Sequence, residues 1–365
     1  ALSTTQVRAM QTADVAALET ADLVEMSTAQ IAAFTTAQFA ALETSQLTAL
    51  TTTQLVSLST TQLASLTTSD LVALDSGQFA ALTTAQIAGL TTNQIAALES
   101  ADLVEFSTAQ IRALTTSQIA ALGTTQVAEL TSTQVAALST TQVRAMQTAD
   151  VAALETTDLV EMSTAQLAAF TTAQFAALET SQLTALTTAQ IASLGTAQLS
   201  SLTTSDLVAL DSGQFVALTT AQVAGLTTNQ IAALESADLV ELSTAQIRAL
   251  TTSQIAALGT TQFADLTSTQ VAALTTTQVR AMQTADIAAL ETTDLVEMST
   301  AQLAVLSTAQ FAAFETSQLT ALTTTQLSSL STTQLASLST SDLVALDSGQ
   351  FAALRTAQIA GLTTS

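Results

Sequence analysis

Large apolar residues occur along this chain at two fixed positions in every eight. Every eighth residue from Leu2 to Leu362 is Leu, Met or Phe. The fifth residue after each of them, from Val7 to Ile359, is Val, Ile, Leu or Phe. The residue two after the first column is always Ser or Thr, and the residue before the second column is always Gln or Asp. The chain is therefore an array of octads, L-[ST]-T-x-Q-Φ-x-A, where Φ is apolar and the Leu is position 1.

This spacing favours very short helices. In a strand, the two apolar columns would point to opposite faces. In one continuous helix, eight residues turn about 80° past two full turns, so the apolar stripe would wind around the rod. In a short helix, the first hydroxyl and the Gln three residues later form a capping box, while the Leu and Φ pack as a hydrophobic staple. Leu82, Thr83, Gln86 and Ile87 illustrate this arrangement. We expect one helix of about six residues per octad.

The pattern does not determine which residue caps each helix. The first hydroxyl position of the octad is often not Ser or Thr, since Gln11, Glu19, Gly123 and Arg355 occupy it. The second hydroxyl position of the octad is always Ser or Thr. A cap at the second position would explain its invariance but would give up the capping box.

Helices of six residues are too short to be stable alone, because helices below about 12–15 residues are marginal in water. Repeats that cannot bury their own apolar face stack into solenoids with a continuous core. The pattern therefore predicts an all-α fold, an α-solenoid of very short helices, with the Leu and Φ columns inward. The number of octads per solenoid turn does not follow from the pattern.

A second, longer period lies over the octads. The segment STTQVRAMQTAD begins at Ser3 and recurs at Ser139, seventeen octads later; a close copy begins at Thr275. No linker or change of composition interrupts the array. We therefore predict a single continuous octad solenoid over 1–365, with long units 1–136, 137–272 and a partial 273–365. Because the chain begins at Ala1 and stops within an octad, we expect a fragment or processed piece.

Composition argues against several classes of function. Six Lys and Arg residues face 29 Asp and Glu, a formal net charge of −23. Nucleic-acid binding needs clustered positive charge, so no nucleic-acid partner is expected. No apolar run approaches the roughly 18 residues of a membrane span. The sequence has no His, Cys, Lys, Tyr or Trp, so a Ser or Thr nucleophile has no His or Lys base. We expect no enzyme activity, no small-molecule substrate and no catalytic or cofactor-binding residue.

The acidic octads of the LETADLVE type contain the candidate metal ligands. Their carboxylates are spaced by three, which brings like charges together on a short helix. Ca²⁺ binds carboxylate and carbonyl oxygens and would relieve that repulsion. The alternative is a solvated acidic face, and no EF-hand loop is present. The calcium candidates are Glu19, Asp22, Glu25, Glu99, Asp102 and Glu105.

The LTTAQIAA pattern and the near-identical long duplications resemble the Thr/Ala/Gln-rich octapeptide-repeat regions of giant bacterial surface and adhesin-like proteins. The resemblance implies secretion to the cell surface, a stalk or fibre role, and no catalysis. An array of similar repeats without candidate catalytic residues independently indicates a spacer or a polymer. We predict an extracellular structural protein that self-associates into a filament, fibre or sheath. The alternatives are a passive adhesin stalk and an ice-binding array of threonines.

Overall fold

The computed structural model describes residues 2–362, which form 45 short helices and no strand within that range. The chain divides into two compact units, residues 1–186 and residues 187–365. Each unit is an α-solenoid with one helix per octad. The predicted all-α class and the predicted helix for each octad are confirmed. The single continuous array over 1–365 stays a prediction.

The helices start at intervals of one octad. The first unit contains α1 Thr4–Ala9, α2 Thr12–Ala16, α3 Thr20–Glu25, α4 Thr28–Ile31, α5 Thr36–Phe39, α6 Thr44–Ala49, α7 Thr52–Val56, α8 Thr60–Ala64, α9 Thr68–Val72, α10 Ser76–Ala81, α11 Thr84–Gly89, α12 Thr92–Ala97, α13 Ser100–Val104, α14 Thr108–Ala113, α15 Thr116–Ile119, α16 Thr124–Ala128, α17 Ser132–Ala137, α18 Thr140–Ala145, α19 Thr148–Ala152, α20 Thr156–Glu161, α21 Thr164–Ala169, α22 Thr172–Phe175 and α23 Thr180–Ala185. The second unit contains α24 Thr188–Ser193, α25 Thr196–Ser200, α26 Thr204–Val208, α27 Ser212–Ala217, α28 Thr220–Gly225, α29 Thr228–Ala233, α30 Ser236–Glu241, α31 Thr244–Ala249, α32 Thr252–Ile255, α33 Thr260–Asp265, α34 Ser268–Ala273, α35 Thr276–Ala281, α36 Thr284–Ala289, α37 Thr292–Glu297, α38 Thr300–Ala304, α39 Thr308–Phe311, α40 Thr316–Ala321, α41 Thr324–Ser329, α42 Thr332–Leu335, α43 Thr340–Ala345, α44 Ser348–Ala352 and α45 Thr356–Leu362.

Helix α11 illustrates how each helix begins and ends. Its N-cap is Thr83, whose Oγ1 accepts from the Gln86 backbone N–H at 3.2 Å, while the Gln86 side chain accepts from the Thr83 backbone N–H at 2.9 Å. The helix ends because Leu90 is extended, with φ −65° and ψ 147°, and the next N-cap, Thr91, follows at once. The capping box lies at the first hydroxyl position, so the alternative cap at the second position is wrong.

The corners between helices consist of two extended residues and need no left-handed backbone. Within residues 2–362 no residue has a positive φ and no peptide bond is cis. Glycine is therefore dispensable at the corners, and the array continues with ordinary L-residues.

The core of each unit consists of the two predicted apolar columns. Ile87, in the Φ column, is 0 % exposed, and Leu82, in the position 1 column, is 3 % exposed. Both lie on the same side of their helix because they form the hydrophobic staple with its capping box. The predicted inward direction of both columns is confirmed.

Contacts between turns give the size of one solenoid turn. Helix α11 packs against α8 and α14, which lie three octads away on either side. The side chain of Gln86 also reaches the backbone of Leu55 in α7, four octads earlier. One turn therefore contains between three and four octads.

Candidate functional site

The side chain of Gln86 connects its own helix to the previous turn. Its Oε1 accepts the hydrogen bond from Thr83 described above, and its Nε2 donates to the carbonyl oxygens of Leu55 at 2.8 Å and Leu58 at 3.0 Å. The side chain is buried. Backbone N–H groups at a helix start and carbonyls at a helix end have no partner within the helix. One buried amide therefore satisfies the start of one helix and the Leu58 carbonyl beyond the end of another. It also gives a second bond to the Leu55 carbonyl, which accepts from the Leu58 backbone N–H at 3.1 Å.

The same bond recurs along both units, and we call this set the glutamine ladder. In each member the Nε2 atom donates to the carbonyl 28 residues earlier, at 2.6–3.0 Å. In the first unit the members are Gln30, Gln38, Gln46, Gln54, Gln62, Gln78, Gln86, Gln94, Gln110, Gln118, Gln126, Gln134, Gln142, Gln166, Gln174 and Gln182. In the second unit they are Gln222, Gln230, Gln246, Gln254, Gln262, Gln270, Gln278, Gln302, Gln310, Gln318, Gln326, Gln334, Gln350 and Gln358.

The octad pattern predicts the bond from the N-cap to Gln86 but not the bonds that Gln86 donates to the previous turn. A capping box accepts Glu as readily as Gln, yet position 5 of the octad never holds Glu in this chain. Glutamine differs from glutamate in having an NH₂ donor. The absence of Glu from position 5 was therefore a signal that the side chain also has to donate.

In α19 and α20, aspartate at position 5 keeps the capping bond and changes the contact between turns. Asp150 accepts from the Gln147 backbone N–H at 3.0 Å and from the Thr124 hydroxyl of the previous turn at 3.2 Å. Asp158 accepts in the same way from the Ser132 hydroxyl at 2.7 Å. An ionised carboxylate cannot donate. The two carbonyls of the previous turn that a glutamine would reach therefore lack the ladder donor.

Burial shifts the pKa of several aspartates at position 5. It raises the pKa of four of them, because the charged form loses hydration: Asp102, Asp238, Asp286 and Asp294. The charge of Glu99 raises the pKa of Asp102 further. Asp342 behaves differently, since hydrogen bonding from the Ser339 hydroxyl lowers its pKa. At the four positions where the pKa is raised, the helix start that meets the previous turn therefore carries a charge that burial disfavours.

The calcium candidates occupy capping and helix-end positions. Glu19 and Glu99 are N-caps, Asp22 and Asp102 are the third helical residues, Glu25 ends α3, and Glu105 follows α13. Within residues 2–362 no three acidic side chains are grouped so that they could hold a metal ion. The calcium hypothesis stays a prediction from the sequence.

Two surface grooves lie beside acidic octads, one in each unit. The first has a volume of about 680 Å³ and the second of about 520 Å³. Their linings include Ser132, Thr157, Val160 and Glu161 in the first unit and Ser268, Thr293, Val296 and Glu297 in the second. Corresponding residues are seventeen octads apart, so equivalent octads form the same groove in both units.

The fold and the glutamine ladder define a class of protein, a helical repeat protein with one helix per octad. The chain belongs to the ALTTAQ repeat family, which matches residues 15–52, 39–74, 64–99, 95–132, 151–188, 175–212, 201–235, 231–268, 287–324, 311–348 and 327–364. No curated protein matches the chain in sequence. Within residues 2–362 no helix has the length and apolar character to cross a membrane. The predicted repeat protein is confirmed.

Proposed function

We propose that the chain is a non-catalytic structural protein that self-associates into a filament, fibre or sheath. The observation that carries the proposal is the glutamine ladder, in which one contact is repeated through both units at fixed sequence spacing. A side chain repeated in this way holds turns together over any length of array. Because the same core continues from octad to octad, the fold is suited to length and stiffness.

Exposed valines support association between copies. Val24, Val160 and Val296 lie at position 7 of equivalent octads of the long repeat and are 40–41 % exposed. Val160 and Val296 line the two grooves described above. Exposed apolar side chains that recur at a fixed spacing along the sequence favour lateral contact, because each contact between copies adds burial.

The extracellular, bacterial-surface location is part of the proposal and rests on the resemblance to octapeptide-repeat regions of surface proteins. A passive stalk is the alternative with the same fold and without self-association. The ice-binding alternative has less support than the filament, because Thr83 and the other hydroxyls of the N-cap column already take part in capping boxes.

The first test is association of the purified chain. We expect fibres by negative-stain microscopy and large species by sedimentation velocity, increasing with salt because screening reduces the repulsion between chains of net charge −23. Replacing Val24, Val160 and Val296 together by Thr should reduce association and leave the helical circular dichroism spectrum unchanged.

Thr157→Ser with Thr293→Ser, on the same helices as two of the valines, is the matched control and should associate like the original chain. A chain that stays monomeric at high concentration and high salt would contradict self-association and favour the stalk.

A further inference from the structure

The last residue of each octad, position 8, faces position 3 of an octad in the previous turn. A Cβ atom added to Gly89 would lie 2.6 Å from Cβ and 2.8 Å from Cγ2 of Thr60. The Ser57 hydroxyl donates to the carbonyl of Thr28, which has the same offset along the chain, at 3.3 Å. The threonine methyl therefore points towards the position 8 side chain of the next turn.

The two facing columns vary together in the sequence. Within each unit, position 3 is Thr in most octads, and the position 8 residue opposite it, 29 places later in the chain, is then Ala, Ser or Gly, with Val305 the one exception. Every acidic residue at position 8 that has a position 3 residue opposite it stands opposite Ser. These Ser–acid pairs are Ser76–Glu105, Ser100–Glu129 and Ser132–Glu161, and, in the next copy of the long repeat, Ser212–Glu241, Ser236–Asp265 and Ser268–Glu297.

The serine hydroxyl is not what the acid requires. Ser132 donates to Asp158, but Thr124 donates in the same way to Asp150, and the residue opposite Thr124 is Ala153. A threonine therefore serves an aspartate at position 5 equally well.

The two pairs whose acidic residue lies in an octad with Gln at position 5, Ser100–Glu129 and Ser236–Asp265, support the same conclusion. Ser100 stands opposite Glu129 in an octad whose position 5 is Gln126. Serine thus accompanies the acid at position 8 and not the aspartate at position 5. The feature that distinguishes Ser from Thr here is the missing methyl group.

The methyl matters because of charge as well as volume. Val305 stands opposite Thr276, and an apolar side chain can pack against a methyl. A carboxylate needs to remain hydrated, because removing a charge from water without a partner is costly. The grooves beside Ser132–Glu161 and Ser268–Glu297 provide that space.

We propose that the Ser–acid pairs set the register of one solenoid turn against the next. The glutamine ladder is the same from octad to octad, so it holds any octad of this type against any other. A Ser–acid pair holds only when its two members keep their spacing along the chain. Loss or gain of one octad between them brings a threonine opposite the acid, whereas loss or gain of a whole long repeat keeps the pairing. The pairs therefore make the order of octads specific, which goes beyond a structural role for the array.

Two deletions of one octad in the full chain test this proposal. Deletion of residues 139–146 places Glu161 opposite Thr124, while deletion of residues 43–50 leaves Thr opposite Ala or Ser at every contact that it shifts. Both deletions remove eight residues, so the Gln or Asp of every remaining octad keeps its position in the repeat. We expect amide hydrogen exchange in α16 and α20 to rise roughly tenfold after the first deletion, as for an overpacked contact, and no comparable rise near the site of the second.

Restoring the pair should restore protection. Adding Thr124→Ser to the 139–146 deletion should reverse most of the increase. In the undeleted chain, Ser132→Thr should raise exchange in α17 and α20, and Glu161→Ala should abolish the effect of that substitution. Equal effects of the two deletions, no recovery with Thr124→Ser, or an effect of Ser132→Thr that persists with Glu161→Ala would each overturn the proposal.

Discussion

At the scale of single residues, position 5 of the octad decides how each helix meets the turn before it. Glutamine accepts from its own N-cap and donates to two carbonyls of the previous turn, as Gln86 does to Leu55 and Leu58. Each such bond contributes about 1 kcal/mol net, but a buried carbonyl left without a partner costs about 1–3 kcal/mol. Loss of the Nε2 donor should therefore reduce stability more than the net value of one hydrogen bond.

Changing Gln86→Glu tests the donor alone. Glutamate keeps the capping oxygen but turns a second oxygen against the carbonyls of Leu55 and Leu58, so we expect a local loss of about 3 kcal/mol, measured by hydrogen exchange of the α7 and α11 amides. Gln6→Glu is the matched control, because Gln6 is exposed and its Oε1 accepts from the Ser3 backbone N–H in the same capping box. Equal protection in the two variants would contradict a role for the donor.

Replacing an aspartate at position 5 by glutamine should have the opposite effect and raise stability. Asp102→Gln provides a donor for the carbonyls of Leu71 and Leu74, which lie at the ladder spacing, and removes a buried charge. We expect a gain of about 1 kcal/mol in urea denaturation. Asp102→Asn removes the charge but is too short to join the ladder, so it is the control, and a gain as large as that of Gln would count against the ladder.

The same aspartates give a prediction for pH. For Asp102, Asp238, Asp286 and Asp294 the folded pKa lies above the ordinary value of 3.8, so the folded state binds more protons than the unfolded state between those values. Stability should therefore rise as the pH falls from 7 through the folded pKa towards 3.8. Asp342, whose pKa is lowered, opposes this only below 3.8. Thermal denaturation from about pH 7 to about pH 4 measures the effect, and a steady fall in melting temperature would contradict it.

At the scale of elements, the helix and its two ends could be predicted because their signals are local in the sequence. Leu82, Thr83, Gln86 and Ile87 specify the staple and the capping box, and the structure places all four as expected. The capping residue could not be fixed because Gly123 and Arg355 have no side-chain oxygen. Their backbone N–H groups still donate to Gln126 and Gln358, so half of the box is enough.

The contacts between helices could not be predicted in the same way. Gln86 donates to Leu55 and Leu58, and Gly89 faces Thr60; none of these spacings is a multiple of eight. They follow from the turn angle at each corner, which a local pattern does not contain. The pairing of Ser132 with Glu161 does contain the spacing between facing columns, but the position 3 hydroxyls taken by themselves indicate only a candidate cap or an ice-binding array.

At the scale of the whole molecule, the contacts described here join each helix to octads three and four places away, as α11 is joined to α8, α14 and α7. Stability in such an array is a sum of repeats and nearest-neighbour interfaces. Residues far along the chain from a damaged octad therefore keep their own contacts. This property allows an array to be long without needing a larger core.

Changing Leu82→Asp tests whether damage stays local. Leu82 is buried, and its carbonyl accepts from Gln110 at 2.8 Å, so a carboxylate there costs on the order of several kcal/mol and disturbs both adjoining turns. Thermolysin, which cuts beside apolar residues, should cleave within about one solenoid turn of position 82 and leave residues 187–365 intact by mass spectrometry. Leu82→Met, which keeps volume and apolar character, should resist cleavage like the original chain. Cleavage spread evenly over both units would mean that the core unfolds as one cooperative body, and the nearest-neighbour description would then be wrong.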